Sequence, residues 1–166
     1  QEIVEIYPED TALTLSQKVE KSGVALFQRV YPLIAAGNAP RIPQDHTRAT
    51  RFGRPRPEDG LVRWDRSAAE IRNLVRAVTH PFPGAFVSFS GKRLFFWSAR
   101  EDDHEAGDGP PGTLVAVRRG EGIVVATGSG RLLLQYVQLE GGPEMPGDRF
   151  AEICGLRVGD RLEDNP

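Results

Sequence analysis

The 166-residue sequence is poor in cysteine, methionine and histidine, with one, one and three of them. A lone cysteine, Cys154, excludes an internal disulfide, and with so few histidines no zinc cage of the usual Cys/His kind can be assembled. No metal is expected, and a reducing, cytoplasmic location is. Long apolar runs are also missing. Residues 123–126 and 132–134 are far too short to cross a bilayer, and no basic-then-apolar leader opens the chain, so no membrane partner is expected. Neither sign of charge dominates: 21 Lys+Arg stand against 23 Asp+Glu, which predicts no general pull toward nucleic acid or anionic lipid. At 39% apolar content the chain suits one globular domain, or one small domain and part of another. It opens on Gln1 in β-rich residues (Ile3, Val4, Ile6) with no turn or cap before them, which reads as a cut edge.

What is present divides into three stretches. Residues 1–40 read as a strand (1–7), a turn at Pro8-Glu9-Asp10-Thr11 and a helix. Asp10 or Thr11 is placed to accept the free amides of the helix's first turn. Leu15, Val19, Leu26, Val30 and Ile34 follow at near-helical period, Pro32 marks a kink or end, and Gly37-Asn38 closes the helix. A strand and a helix alone cannot bury an apolar stripe, so this unit reads as the last βα piece of a larger α/β domain. Residues 41–57 hold Arg41, Arg48, Arg51, Arg54 and Arg56 against one acid, Asp45, with Pro43, Pro55 and Pro57, and read as a basic linker.

Residues 58–166 carry their own core. Ser67-Ala68-Ala69-Glu70 is a capping box, with hydroxyl and carboxylate each taking the other's amide, worth about 0.5–2 kcal/mol. Its helix presents Ile71, Leu74, Val75 and Val78 on one face and ends before Pro81. Five strand-like runs follow, 85–89, 93–98, 113–117, 122–126 and 132–137, joined by glycine turns at Ser90-Gly91, Gly120-Glu121-Gly122 and Gly128-Ser129-Gly130. Phe86, Phe96, Trp97, Val115, Val125 and Leu134 are among the residues able to line the core. A mainly β, partly open barrel with one helix, OB-like in outline, fits this count.

Several apparent motifs fail on their spacing. Gly91-Lys92 is no phosphate loop, because the glycine needed five residues earlier is Phe86 and an arginine follows the lysine. Gly128-Ser129-Gly130 lies between two strands and reads as a hairpin turn, not a nucleophile elbow. Asp102-Asp103-His104-Glu105 lacks any calcium-loop spacing and reads as a solvated acidic loop. Cys154, between Ile153 and Gly155 and close to Leu156, reads as an inert buried thiol. No nucleophile, acid–base pair or cofactor cradle is identifiable.

At the edge of the last stretch the residues become recognisable. Phe52-Gly53-Arg54-Pro55-Arg56-Pro57-Glu58-Asp59-Gly60-Leu61-Val62-Arg63-Trp64, then Ala68-Ala69-Glu70-Ile71, Asn73-Leu74-Val75-Arg76-Ala77-Val78 and Pro81-Phe82-Pro83-Gly84-Ala85-Phe86, resemble the folate-dependent formyltransferase family. Pro8-Glu9-Asp10-Thr11, Gly37-Asn38, Pro43-Gln44, Gln138-Leu139-Glu140-Gly141-Gly142, Gly155, Gly159 and Leu162 extend the likeness over the whole chain. The resemblance is greatest to the branch acting on nucleotide-linked amino sugars, including the formyltransferase part of the bifunctional lipid A arabinose-modification enzyme. The related methionyl-tRNA formyltransferases share the outline.

The resemblance implies a Rossmann-like N-terminal catalytic domain ending near residue 40, a linker at 41–57 and an OB-like C-terminal domain at 58–166. It also implies that N10-formyl-tetrahydrofolate and the catalytic asparagine, histidine and aspartate belong mainly to the N-terminal domain, outside this chain. Asp10-Thr11 is a helix cap and not the family's catalytic loop. On this reading the chain alone is catalytically silent and has its own N-terminal domain as partner.

Four linker arginines, Arg48, Arg51, Arg54 and Arg56, are candidates to hold the phosphates of a nucleotide-linked amino sugar, or else to fasten the linker to acidic residues. Trp64, Ser67, Glu70, Arg76, Pro83 and Gly84 are candidates for structural or interface roles. Initiator tRNA is the competing substrate. Residues 58–166 hold 13 Lys+Arg and 17 Asp+Glu, a net of −4, which offers a polyanion no dense cationic cluster, although the linker adds +4. A standalone OB-like binding module and a homo-oligomer are the remaining alternatives.

Overall fold

The computed structural model describes residues 1–51, 53, 56–104 and 107–162. The chain divides into two compact units, Gln1–Pro55 and Arg56–Pro166.

In the first unit residues 1–6 form neither helix nor strand, contrary to the strand expected there. A strand exists only through a ladder, and Ile3 and Ile6 are 94% and 62% exposed, with no strand among the described residues paired to them. Helix α1 (Ala12–Ala35) starts at a Thr11/Thr14 capping box. It runs through Pro32 rather than ending there, and Gly37, at φ +71°, closes it. None of its residues is buried; Val19 and Ile34, expected on its apolar stripe, are exposed.

Every buried apolar side chain among the described residues lies in the second unit, between Val62 and Leu162. Its Ser67/Glu70 box is reciprocal, and α2 (Ala68–Val78) buries Ala68, Ile71 and Val75 on one face. Six antiparallel strands follow: β1 (Ala85–Phe89), β2 (Lys92–Glu101), β3 (Leu114–Arg118), β4 (Gly122–Ala126), β5 (Arg131–Leu139) and β6 (Glu144–Pro146). They lie in the order β1-β2-β5-β4-β3, with β6 also paired to β5. Ser90 and Gly91, both at positive φ, make the two-residue turn between β1 and β2 whose twist suits a hairpin. Gly128 holds the β4–β5 turn against the start of α2. Its N–H donates to Trp64 O at 2.7 Å, and an added Cβ would lie 1.9 Å from Asp65 O.

A second helix closes the unit where one alone was expected: α3 (Gly147–Cys154), which buries Phe150 and Ala151 and ends on Gly155 at φ +66°. Phe150 meets Phe89 edge-on, with centroids 5.8 Å apart, so α3 completes the core from β1's far end. The principal core gathers Trp64, Ile71, Val75, Leu94, Phe96, Leu134, Phe150 and others. Val115, Val124, Ala126 and Leu133 form a smaller second cluster.

The loop after β2 is anchored to β3 and β5, and here the expectation of a solvated acidic loop fails at its first residue. Asp102 is 5% exposed and accepts from both terminal nitrogens of Arg118, while its N–H donates to Arg131 O at 2.9 Å. A carboxylate enters a protein interior only when so partnered, and it raises the guanidinium of Arg118 further above its ordinary pKa. Cys154 departs from expectation in the other direction. It is exposed at the end of α3 beside an exposed Ile153, with its thiol raised by partial desolvation.

Candidate functional site

Strand alternation sends Leu94 and Phe96 of β2 into the core and Phe95 and Trp97 to the opposite face of the sheet. The register with β5 runs Phe96↔Val137, Ser98↔Tyr136, Ala99↔Leu134. Trp97 is therefore an extra, unpaired residue on β2, and Gln135 is the compensating extra residue on β5. Bulges of this kind re-aim side chains and recur next to functional sites.

Around Trp97 the outer face builds a row of rings. His80 stacks on it at 3.8 Å and 13°, and Phe95 lies on from it at 5.8 Å and 18°. Phe86 follows at 6.0 Å from Phe95, with the Arg93 guanidinium 4.6 Å from its centroid. The row is fixed from several sides. Trp97 Nε1 donates to Gln138 Oε1 at 3.0 Å, Gln138 Nε2 donates to Gly142 O at 2.8 Å, and Thr79 Oγ1 donates to Trp97 O at 2.8 Å. His80 Nε2 lies 3.0 Å from Glu144 Oε2. Gly84, at φ +90°, lets the backbone pass so close to the indole that a Cβ would sit 2.9 Å from it. His80, Phe82 and Leu61 are exposed around this face.

Chemically this is a contact surface. Flat rings, a guanidinium and an exposed imidazole suit an apolar or aromatic partner. It presents no nucleophile with a base and no pair of oxyanion donors. Among the described residues no group of three or more His, Cys, Asp or Glu is gathered to hold a metal ion, and no helix is long and apolar enough to cross a membrane.

The residues singled out in the sequence fall in different places. Arg48, in a short 3-10 turn (His46–Arg48), and Arg51 are exposed in the first unit, whereas Arg56 opens the second, its N–H donating to Asp59 Oδ2 at 2.7 Å. Arg54 lies outside the described residues. Trp64 is 3% exposed, 5.6 Å from Phe96 in the core. Ser67 and Glu70 cap α2, and the Ser67 N–H and then its hydroxyl hold the Glu70 carboxyl below the usual range, with Arg66 adding a smaller pull. Arg76 Nε donates to Asn73 Oδ1 at 2.9 Å, Pro83 is exposed, and Gly84 supports Trp97.

Sequence reasoning placed Trp97 with the core, and the structure corrects this: it is half-buried on the outer face with Phe95. The Phe-Phe-Trp run offers alternation as a signal, but its phase is set only by the partner strand. Phe86, at 9% exposure, is covered on that same side, and Val115 belongs to the smaller cluster.

Residues 55–155 match the family model described as Formyl transferase, C-terminal domain. Among solved structures, a multiply substituted variant of HypX from Aquifex aeolicus superposes with a TM-score of 0.60 at 19% identity, covering 85% of this chain and 24% of that one. HypX from the same organism in complex with tetrahydrofolic acid gives 0.54 at 20% identity, covering 73% and 21%. At this identity the likeness is one of fold, and the chain spans less than a quarter of either HypX chain.

Proposed function

The chain belongs to the formyl transferase C-terminal domain family, and from that premise we propose that it is the C-terminal part of a folate-dependent formyltransferase acting on a nucleotide-linked amino sugar. The observation that carries this reading is the family match over 55–155, which takes in α2, all six strands and the whole of α3. In the proposed enzyme N10-formyl-tetrahydrofolate donates its formyl group to the sugar's primary amine. That chemistry needs a base for the amine proton and donors for the tetrahedral oxyanion, both supplied by an N-terminal catalytic domain. The tetrahydrofolic acid held by one HypX structure supports folate as the donor's carrier.

Residues 1–40 are proposed as the last βα piece of that Rossmann-like domain, and the mainly β unit as its OB-like companion. Exposed Val24, Phe27, Tyr31 and Ile34 on α1 support the first assignment, because they give the catalytic domain an apolar face to cover. Residues 1–6 become a strand once that domain's sheet pairs with them. Arg48, Arg51, Arg54 and Arg56 hold the sugar nucleotide's phosphates in this reading, and the enzyme works in the cytoplasm. The net charge of −4 over 58–166 favours a small anionic substrate over tRNA.

The test is formylation by the full-length protein containing this chain. With N10-formyl-tetrahydrofolate, a UDP-linked amino sugar should be formylated and methionyl initiator tRNA should not, while the 166-residue chain alone forms no product. Formylation of the tRNA without the sugar overturns the substrate assignment. Formylation by the isolated chain overturns the division of labour.

A further inference from the structure

The second bulge, at Gln135, coincides with another break in β5. One edge of that strand pairs with β4 as far as Leu134 and with β6 from Tyr136 onward, so Gln135 sits where the partner changes. A cleft of about 640 Å³ opens here, within the range that suits a small ligand. Its lining combines an aromatic ring, two guanidiniums and two carboxylates, Glu121 and Asp148, contributed by β2, the β3–β4 turn, β5 and the start of α3, with Pro146 of β6.

The Tyr136 ring is 48% exposed. Arg100 and Arg149 bring two guanidiniums, paired respectively with Glu121 at 2.8 Å and Glu152 at 2.9 Å, all four side chains well exposed. Exposed pairs of this kind are worth little, so a phosphate can exchange for the carboxylates at small cost. Asp148 Oδ2 accepts from Gly120 N–H at 2.7 Å, while its Oδ1 is buried with no donor. The bond to Gly120 ties the β3–β4 turn to the start of α3 at the edge of the cleft. Ser98 Oγ donates to Gln135 Oε1 at 3.0 Å and fixes the bulged side chain at the cleft floor.

We propose that this cleft binds a nucleoside monophosphate, with the base against Tyr136 and the phosphate between Arg100 and Arg149. An exposed ring beside two guanidiniums matches the base and the phosphate of such a ligand better than a free anion or a free base. The site lies wholly within the second unit and goes beyond formyl transfer.

Calorimetric titration of the 166-residue chain with AMP, UMP, adenosine and inorganic phosphate tests it. Saturable binding of a monophosphate is expected, weakened about tenfold or more when either the phosphate or the base is missing. Tyr136→Ala and Arg149→Ala should each weaken it about tenfold, with circular dichroism and Tm unchanged because both side chains are exposed. Absence of saturable binding, or equal binding by the folded Tyr136→Ala/Arg149→Ala double variant, overturns the proposal.

Discussion

The two units carry comparable apolar composition to opposite ends. Helix α1 runs 24 residues and buries none of them, whereas α2 has 11 and buries three on a single face. Both helices begin at reciprocal capping boxes, so local chemistry does not separate them. The difference is what each apolar face meets. Ile71 and Val75 of α2 share one buried core with Phe96, Leu94 and Trp64, and Phe27, Tyr31 and Ile34 of α1 stand 55–60% exposed. A capping box defines where a helix starts; tertiary burial supplies most of its stability.

The largest test of this contrast is Phe96→Ala, which empties the centre of the second unit and should cost about 3–5 kcal/mol in denaturant unfolding monitored by Trp64 fluorescence. A loss under 1 kcal/mol would mean the two units are alike after all. Gly84→Ala comes next. At φ +90°, with a Cβ 2.9 Å from the indole, it should cost about 1–3 kcal/mol and change the emission of Trp97.

Paired cap deletions sharpen the comparison further. Ser67→Ala should lower the unfolding free energy by about 0.5–2 kcal/mol, while Thr11→Ala should reduce helical circular dichroism without moving the main transition. The Ser67 effect has a pH signature. The Glu70 carboxyl is held below its ordinary value in the folded state, so its contribution is present above the unfolded pKa of about 4.3 and lost as pH falls through the lower folded value. The gap between wild type and Ser67→Ala should therefore narrow in acid. Smallest of all is Phe27→Asp on α1, expected to shift stability by less than about 0.5 kcal/mol; a larger loss would reveal a packed face.

Legibility in the sequence followed the range of the interaction. The α2 capping box, the Ser90-Gly91 turn and the five longer strands were readable because each rests on residues a few positions apart. Helix α3 left a weaker trace, Phe150-Ala151 followed by Gly155, within a segment too short for periodicity to declare itself. The three-residue β6 left none, since it exists only as an edge on β5. Nor was the site material legible. Trp97 and Gln135 are bulged because β2 and β5, about 40 residues apart, fall out of register there, and no local pattern records that.

By itself the sequence settled the mainly β unit, its first helix and its turns, the scarcity of metal-ligating side chains, and the resemblance on which the family assignment converges. Tertiary structure alone decided that Phe96 is core while Trp97 faces outward, that Asp102 is a buried partner of Arg118, and that the strand at 1–7 does not form in this chain. Caps and turns are paid for within a few residues of their own segment. Facing, burial and strand pairing depend on which distant segment arrives to complete them, and for the first unit that segment lies outside these 166 residues in the function proposed above.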